Sequence, residues 1–167
     1  MKNIAFFLDR DGVINTERKD YVKDINEFNI IEGALEAIKL IKENGYYVVI
    51  ITNQSAINRG IMNVEKLHDI HKLLKDKLYF EFKTKIDGIY FCPHTPEEKC
   101  ECRKPKPGLF LEAAKELDIA LEESIMIGDS QKDIEAAQAV KCKSILLKNN
   151  EKLIDIVKNY LYVISQK

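Results

Sequence analysis

Neither sign of charge is in surplus in this chain, since 26 lysines and arginines stand against 27 aspartates and glutamates. Without a basic excess, nothing global favours nucleic acid or an anionic membrane as partner, and any anion binding must be local. No apolar run approaches membrane-spanning length, and residues 1–9 are too short and too quickly charged for a signal peptide. The expectation is a cytoplasmic protein. Low-complexity stretches and internal repeats are also missing. Cysteine is scarce, but three of the four, Cys92, Cys100 and Cys102, fall within eleven residues of one another. In a reducing compartment that clustering reads as a metal site rather than a disulfide framework.

What the chain does have is core-forming material: 46% hydrophobic residues in 167, enough for one domain over 1–167 without a long linker. Residues 4–8 form an apolar run that stops at Asp9-Arg10-Asp11-Gly12, the pattern of a buried parallel strand delivering polar groups to its carboxyl end. Ala34, Leu35, Ile38 and Ile41 recur at helical spacing, and Asn44-Gly45 supplies a stop before a β-rich run at 46–51. A second amphipathic helix carries Leu67, Ile70, Leu74 and Leu78 on one face, and 88–92 reads as a third strand. Beyond a loop rich in cysteine and proline come a helix near 109–117, a short strand at 125–127, a helix at 134–140, a strand at 144–147 and a last helix at 153–160. Such alternation implies an α/β fold, an open and mostly parallel Rossmann-like sheet with helices on both faces. Ligands would bind beyond the carboxyl ends of the strands.

Three of the apolar runs end in polar clusters: Asp9-Arg10-Asp11-Gly12, Thr52-Asn53-Gln54-Ser55, and Gly128-Asp129-Ser130 with Asp133 shortly after. In a parallel sheet these ends meet in one crevice, and Lys106 in Arg103-Lys104-Pro105-Lys106-Pro107-Gly108 would add a cation there. Each cluster alone has a bland reading: a helix cap for Asp129, Asp133, Thr52 or Ser55, a surface lysine for Lys106. All four in this order are not explained that way.

At these residues, over roughly 4–147, the chain resembles the haloacid-dehalogenase superfamily of phosphotransferases, here without a large cap domain. The resemblance implies Asp9 as nucleophile, Asp11 as general acid and base, Thr52 as phosphoryl-binding hydroxyl and Lys106 as the charge-balancing lysine. It also implies a catalytic magnesium held by Asp9, Asp129 and the backbone carbonyl of Asp11, with Asp133 supporting it from behind. A phosphate monoester dianion repels an attacking carboxylate, so a hard cation and a lysine are needed before in-line attack.

Cys92-Pro93-His94 and Cys100-Glu101-Cys102 supply three thiolates and an imidazole in one loop, 92–103. That is a closed tetrahedral donor set of the structural zinc type, with no open position for chemistry. Free core cysteines or a redox pair are the alternatives, but the flanking Glu98, Lys99, Glu101 and Arg103 do not resemble core. The expected job of the zinc is to fold the loop and hold Arg103 and Lys104 over the crevice. Cys142, alone beside a strand, is expected to pack.

With this loop, the Asp9 and Thr52 motifs and Cys102-Arg103-Lys104-Pro105 resemble the heptose 1,7-bisphosphate phosphatases and the related histidinol-phosphate phosphatases. Ser55, Arg59-Gly60 and Pro107-Gly108 look more like the heptose branch, and Ala56, where that branch commonly has glycine, departs from it. The expected ligand is a small phosphorylated metabolite handled by a monomer. Asn53, Ser55, Arg59, Arg103 and Lys104 would contact substrate, guanidinium forks matching a distal phosphate. A solvated surface arginine is the plain alternative for Arg59. Asn15, Glu17 and Arg18 are placed near the entrance, and His68 and His71 are read as surface or packing residues. A non-catalytic zinc-loop protein on the same fold is the competing class of function.

Overall fold

The computed structural model describes residues 2–166. Five parallel strands, β1 (Ala5–Leu8), β2 (Tyr47–Asn53), β3 (Gly88–Cys92), β4 (Ile125–Gly128) and β5 (Lys143–Leu146), lie in the order β3-β2-β1-β4-β5. Five helices connect or follow them: α1 (Ala34–Glu43), α2 (Val64–Phe82), α3 (Gly108–Glu116), α4 (Gln131–Ala139) and α5 (Leu153–Ser165). Every strand and helix expected from the periodicity is present, within a few residues of its expected bounds. The segment 9–33 between β1 and α1 contains no named helix or strand. No helix among the described residues is long and apolar enough to cross a membrane.

Alternation along the strands explains why both faces are covered. Phe6, Leu8, Val48, Ile50, Ile125 and Ile127 belong to one buried cluster, which includes Leu35, Ile38 and Ile41 of α1, Leu67, Ile70 and Leu74 of α2, and Val157 of α5. The intervening Ala5, Phe7, Val49, Ile51 and Met126 belong to the opposite cluster, with Phe110 of α3 and Ala136 of α4. Side chains of period two feed two cores from one strand, so the central strands read as unbroken apolar runs. Phe6 meets Tyr46 and Tyr160 edge-on at 5.2 and 5.5 Å, and Phe7 meets Phe110 at 4.8 Å. Each fully buried side chain of this size contributes about 1.5–3 kcal/mol.

Helix starts follow local chemistry. The Asn63 side chain accepts from the Lys66 amide to cap α2, and Ser130 opens α4 as a capping box with Asp133. The strand order reverses direction at β1, with β2 on one side and β4 on the other. Such a switch point opens a crevice at the carboxyl ends.

Candidate active site

Beyond those ends lies a cavity of about 610 Å³ lined by Asp9, Asp11, Asn53, Ser55, Asp129 and Asp133 among others. Asp9 follows β1, and its amide donates to the Ile127 carbonyl of β4 at 3.1 Å. Asp129 follows β4, and one carboxylate oxygen from each of Asp9, Asp129 and Asp133 comes within 4.8 Å of the others. Gly12 makes the approach possible: it sits at φ +82°, and a Cβ there would come 1.8 Å from Asp129 Oδ2.

The cation beside Asp9 is Lys104, not Lys106. Lys104 is buried, with its Nζ 3.0 Å from Asp9 Oδ1, 2.6 Å from Asp133 Oδ1 and 2.8 Å from the Ile51 carbonyl. Three oxygens thus surround the ammonium, two of them from carboxylates that balance its charge. Asn53 fixes this residue through its backbone, accepting from the Lys104 amide and donating to the Lys104 carbonyl, each at 3.1 Å. Lys106 instead points outward, 43% exposed, and pairs with Glu101. Lys104 does line the cavity, as expected, but from a buried position beside Asp9 rather than from the rim. Thr52 is also placed differently. It is buried and does not line the cavity, its hydroxyl accepting from Gln54 Nε2 at 2.9 Å.

Asp11 is held by four contacts from three side chains. Arg10 Nη2 donates to Oδ1 at 3.0 Å and Oδ2 at 3.1 Å, Asn15 Nδ2 donates to Oδ1 at 2.9 Å, and Gln54 Nε2 donates to Oδ2 at 2.7 Å. Arg10 is fully buried, and Asn15 lies under the site rather than at its entrance, whereas Glu17 and Arg18 do line the cavity. Gln54, Arg10 and Lys132, which also lines the cavity, were not singled out by sequence reasoning. Gln54 lay inside a motif already flagged. An arginine between two aspartates reads as solvated, and Lys132 carries no sequence signal.

The electrostatics separate the two aspartates. Burial raises Asp9 to about 7; Lys104 opposes the rise, and Asp133 and Asp11 add to it. Burial also raises Asp129 to about 6, helped by Asp133 and Glu17. For Asp11, burial pushes upward but is outweighed by the Arg10 charge and the bonds from Asn15, Arg10 and Gln54, which hold it below the usual range. Burial works against the charge on Lys104, yet Asp9 and Asp133 hold its pKa above that of a free lysine. A metal ion among Asp9, Asp129 and Asp133 would meet hard oxygen donors whose negative charge a single lysine does not balance, so the donor set fits magnesium.

At the rim, Cys92, His94, Cys100 and Cys102 converge as the motif implies. Five of their six donor pairs lie at 3.2–3.5 Å. Tetrahedral Zn–S bonds of about 2.3 Å set edges near ~3.8 Å, so four soft donors at these spacings fit a structural zinc. The cluster is tied to the crevice by Arg103, whose amide donates to Cys100 Sγ at 3.3 Å and whose Nη1 donates to the His94 carbonyl at 3.1 Å. Arg103, Arg59 and Ser55 all line the cavity, as expected of substrate-facing residues. Cys142 is buried in the second core cluster.

The sequence and the fold resemble those of known proteins. Residues 4–141 match the model of the haloacid dehalogenase-like hydrolases. The chain belongs to that family. It is 48% identical over 145 residues to the D-glycero-beta-D-manno-heptose-1,7-bisphosphate 7-phosphatase of Helicobacter pylori (strain ATCC 700392 / 26695), covering 87% of this chain and 83% of that protein. The enzyme of the same name from Haemophilus ducreyi is 39% identical, with 90% and 85% covered. Among solved structures, the D,D-heptose 1.7-bisphosphate phosphatase from B. bronchiseptica, complexed with magnesium and phosphate, superposes with a TM-score of 0.89. It is 31% identical, with 98% of this chain and 99% of that one covered.

Proposed function

We propose that this protein is a phosphoric monoester hydrolase that removes the C7 phosphate of D-glycero-D-manno-heptose 1,7-bisphosphate, in the synthesis of nucleotide-activated heptose. The observation that carries the mechanism is the buried Lys104 ammonium set between Asp9 and Asp133 at the switch point, with Asp129 alongside. Asp9 attacks phosphorus, the bond from phosphorus to the sugar oxygen breaks, and Asp11, ionised in the free site and protonated as the substrate's phosphate dianion enters beside it, gives that oxygen its proton. Asp11, now a carboxylate, takes a proton from the water that attacks the aspartyl phosphate, releasing inorganic phosphate and restoring Asp9. Magnesium held by Asp9, Asp129 and the Asp11 carbonyl supplies positive charge against the phosphate dianion. Lys104 neutralises Asp9 and holds it in place, and Asp133 anchors Lys104. Cys92, His94, Cys100 and Cys102 would hold a zinc ion, whose closed coordination would fix the loop and with it Arg103 at the rim.

Choice of substrate follows from the charges around the cavity. Arg59, Arg103 and Lys132 line it and make no ion pair among the described residues. A second phosphate dianion is attracted there, and the cationic amine of histidinol phosphate is repelled. Phosphate release from heptose bisphosphate, hexose phosphates and histidinol phosphate tests this. The bisphosphate should give the highest kcat/KM. A preference for histidinol phosphate would end the heptose reading and leave the mechanism standing.

A further inference from the structure

Arg10 is the largest fully buried side chain among the described residues, and burial of an arginine is costly unless its charge is paired. Nη2 reaches both oxygens of Asp11, and the Phe28 ring lies 5.6 Å from Cζ. Nη1 lies 3.3 Å from Nε2 of His71, a buried residue on α2, while Nε has no partner among the described residues. Every guanidinium nitrogen is a donor, so His71 Nε2 must be the acceptor and the ring must be neutral, with its proton on Nδ1. Burial, reinforced by the charges of Arg10, Lys75 and His68, lowers the ring to about 3, in agreement with that tautomer. His71 is therefore not a surface residue, and packing against Phe91, 6.4 Å away between ring centres, does not require a nitrogen.

We infer that His71 is a positioning residue for the acid–base step: by accepting from Nη1 it fixes the rotation of the planar Arg10 guanidinium, and so the direction in which Nη2 holds the Asp11 carboxyl group. The inference rests on Asp11 being the proton donor. A planar fork anchored at one nitrogen has no freedom left at the other. Without the acceptor, Asp11 keeps Asn15 and Gln54 but loses the contact that spans both its oxygens. Misdirected proton transfer matters most when the leaving oxygen is a poor leaving group. An alkoxide of a sugar needs the proton, whereas p-nitrophenolate leaves largely without it.

The test compares kcat/KM for the wild-type enzyme's best sugar phosphate with that for p-nitrophenyl phosphate, since this ratio reports the phosphoryl-transfer step. His71→Leu should lose about tenfold on the sugar phosphate and less than about twofold on the aryl phosphate, a loss of the order that a small misplacement produces. His71→Gln, whose amide oxygen can take the Nη1 bond, should restore the sugar phosphate rate. The magnesium concentration for half-maximal activity should not move. If His71→Leu does not fold, His71→Phe carries the same expectation. Equal losses on both substrates, or equal losses for the leucine and glutamine variants, would overturn the inference. Asp11→Asn serves as the control. If it shows the leaving-group bias and the His71 variants do not, the inference fails alone; if it shows no bias, Asp11 is not the donor and the inference falls with that assignment.

Discussion

Asp9, Asp129 and Asp133 come from opposite ends of the chain and meet only because β1 and β4 lie side by side, whereas Cys92, His94, Cys100 and Cys102 occupy a single loop. The first cluster offers hard oxygens, is supported by one buried lysine, and opens onto the cavity at the strand ends. The second offers three sulfurs and a nitrogen, four donors within 4.8 Å of one another, the number a closed tetrahedral site needs. Their construction separates their duties. A cluster built by the whole sheet can lose a side chain while the fold survives and its chemistry stops. One built by a loop would depend on a bound zinc for its shape, and would pass any damage on through Arg103.

The sharpest way to break this contrast is at the lysines. Lys104→Met should lower kcat by about 10²-fold or more, because Asp9 loses its counter-charge. It should also destabilise the protein by roughly 3–5 kcal/mol, the cost of leaving buried carboxylates unpaired. Lys106→Met, two residues away, removes only an exposed pair and should stay within about 0.5 kcal/mol and close to wild-type turnover. Denaturant titration and phosphate release on both variants check this, and comparable effects would reverse the assignment. A smaller loss is expected in the loop. Cys100→Ser should cost the protein its tightly held zinc by metal analysis and reduce activity by about tenfold through Arg103, with the sheet still folded by circular dichroism.

The smallest effect concerns protons. In magnesium-free protein, Asp9 at about 7 and Asp129 at about 6 lie above the roughly 3.9 of an unfolded aspartate. The folded chain then keeps protons that the unfolded chain releases, so the contribution of these groups is full below about pH 4 and falls as pH rises through 6 and 7. The Tm of magnesium-free protein should drop by a few degrees between pH 5 and pH 8. Added magnesium should raise it more at pH 8, where the carboxylates have no protons to displace. A larger gain at pH 5 would contradict the linkage.

The sequence made the sheet readable because buried parallel strands are apolar runs that end abruptly, and residues 4–8 and 125–127 end at the very aspartates of the site. The thiolate loop was legible because its donors are local. Lys104 was not, because Lys-Pro-Lys-Pro has no periodicity and the inward residue is selected by Asn53, 51 residues earlier in the chain. Thr52 was placed at the right strand end, but the capture of its hydroxyl by Gln54 depends on the turn after β2. His71 did leave a signal: it follows Leu67 by four residues and precedes Leu74 by three, which puts it in the apolar stripe of α2. Only its partner, a buried arginine two strands away, gives that position a meaning beyond packing.

The register of β1 also has a consequence in time. Phe6 pairs with Val48 on one side but with Ile125 on the other. At synthesis rates of about 5–20 residues per second, the strand that leads into Asp9 waits roughly 6–24 s for its second neighbour to leave the ribosome. Until then Asp9 has no Asp129 beside it and one edge of β1 is bare, so the nascent chain is inactive and most open to mispairing along its earliest-made strand.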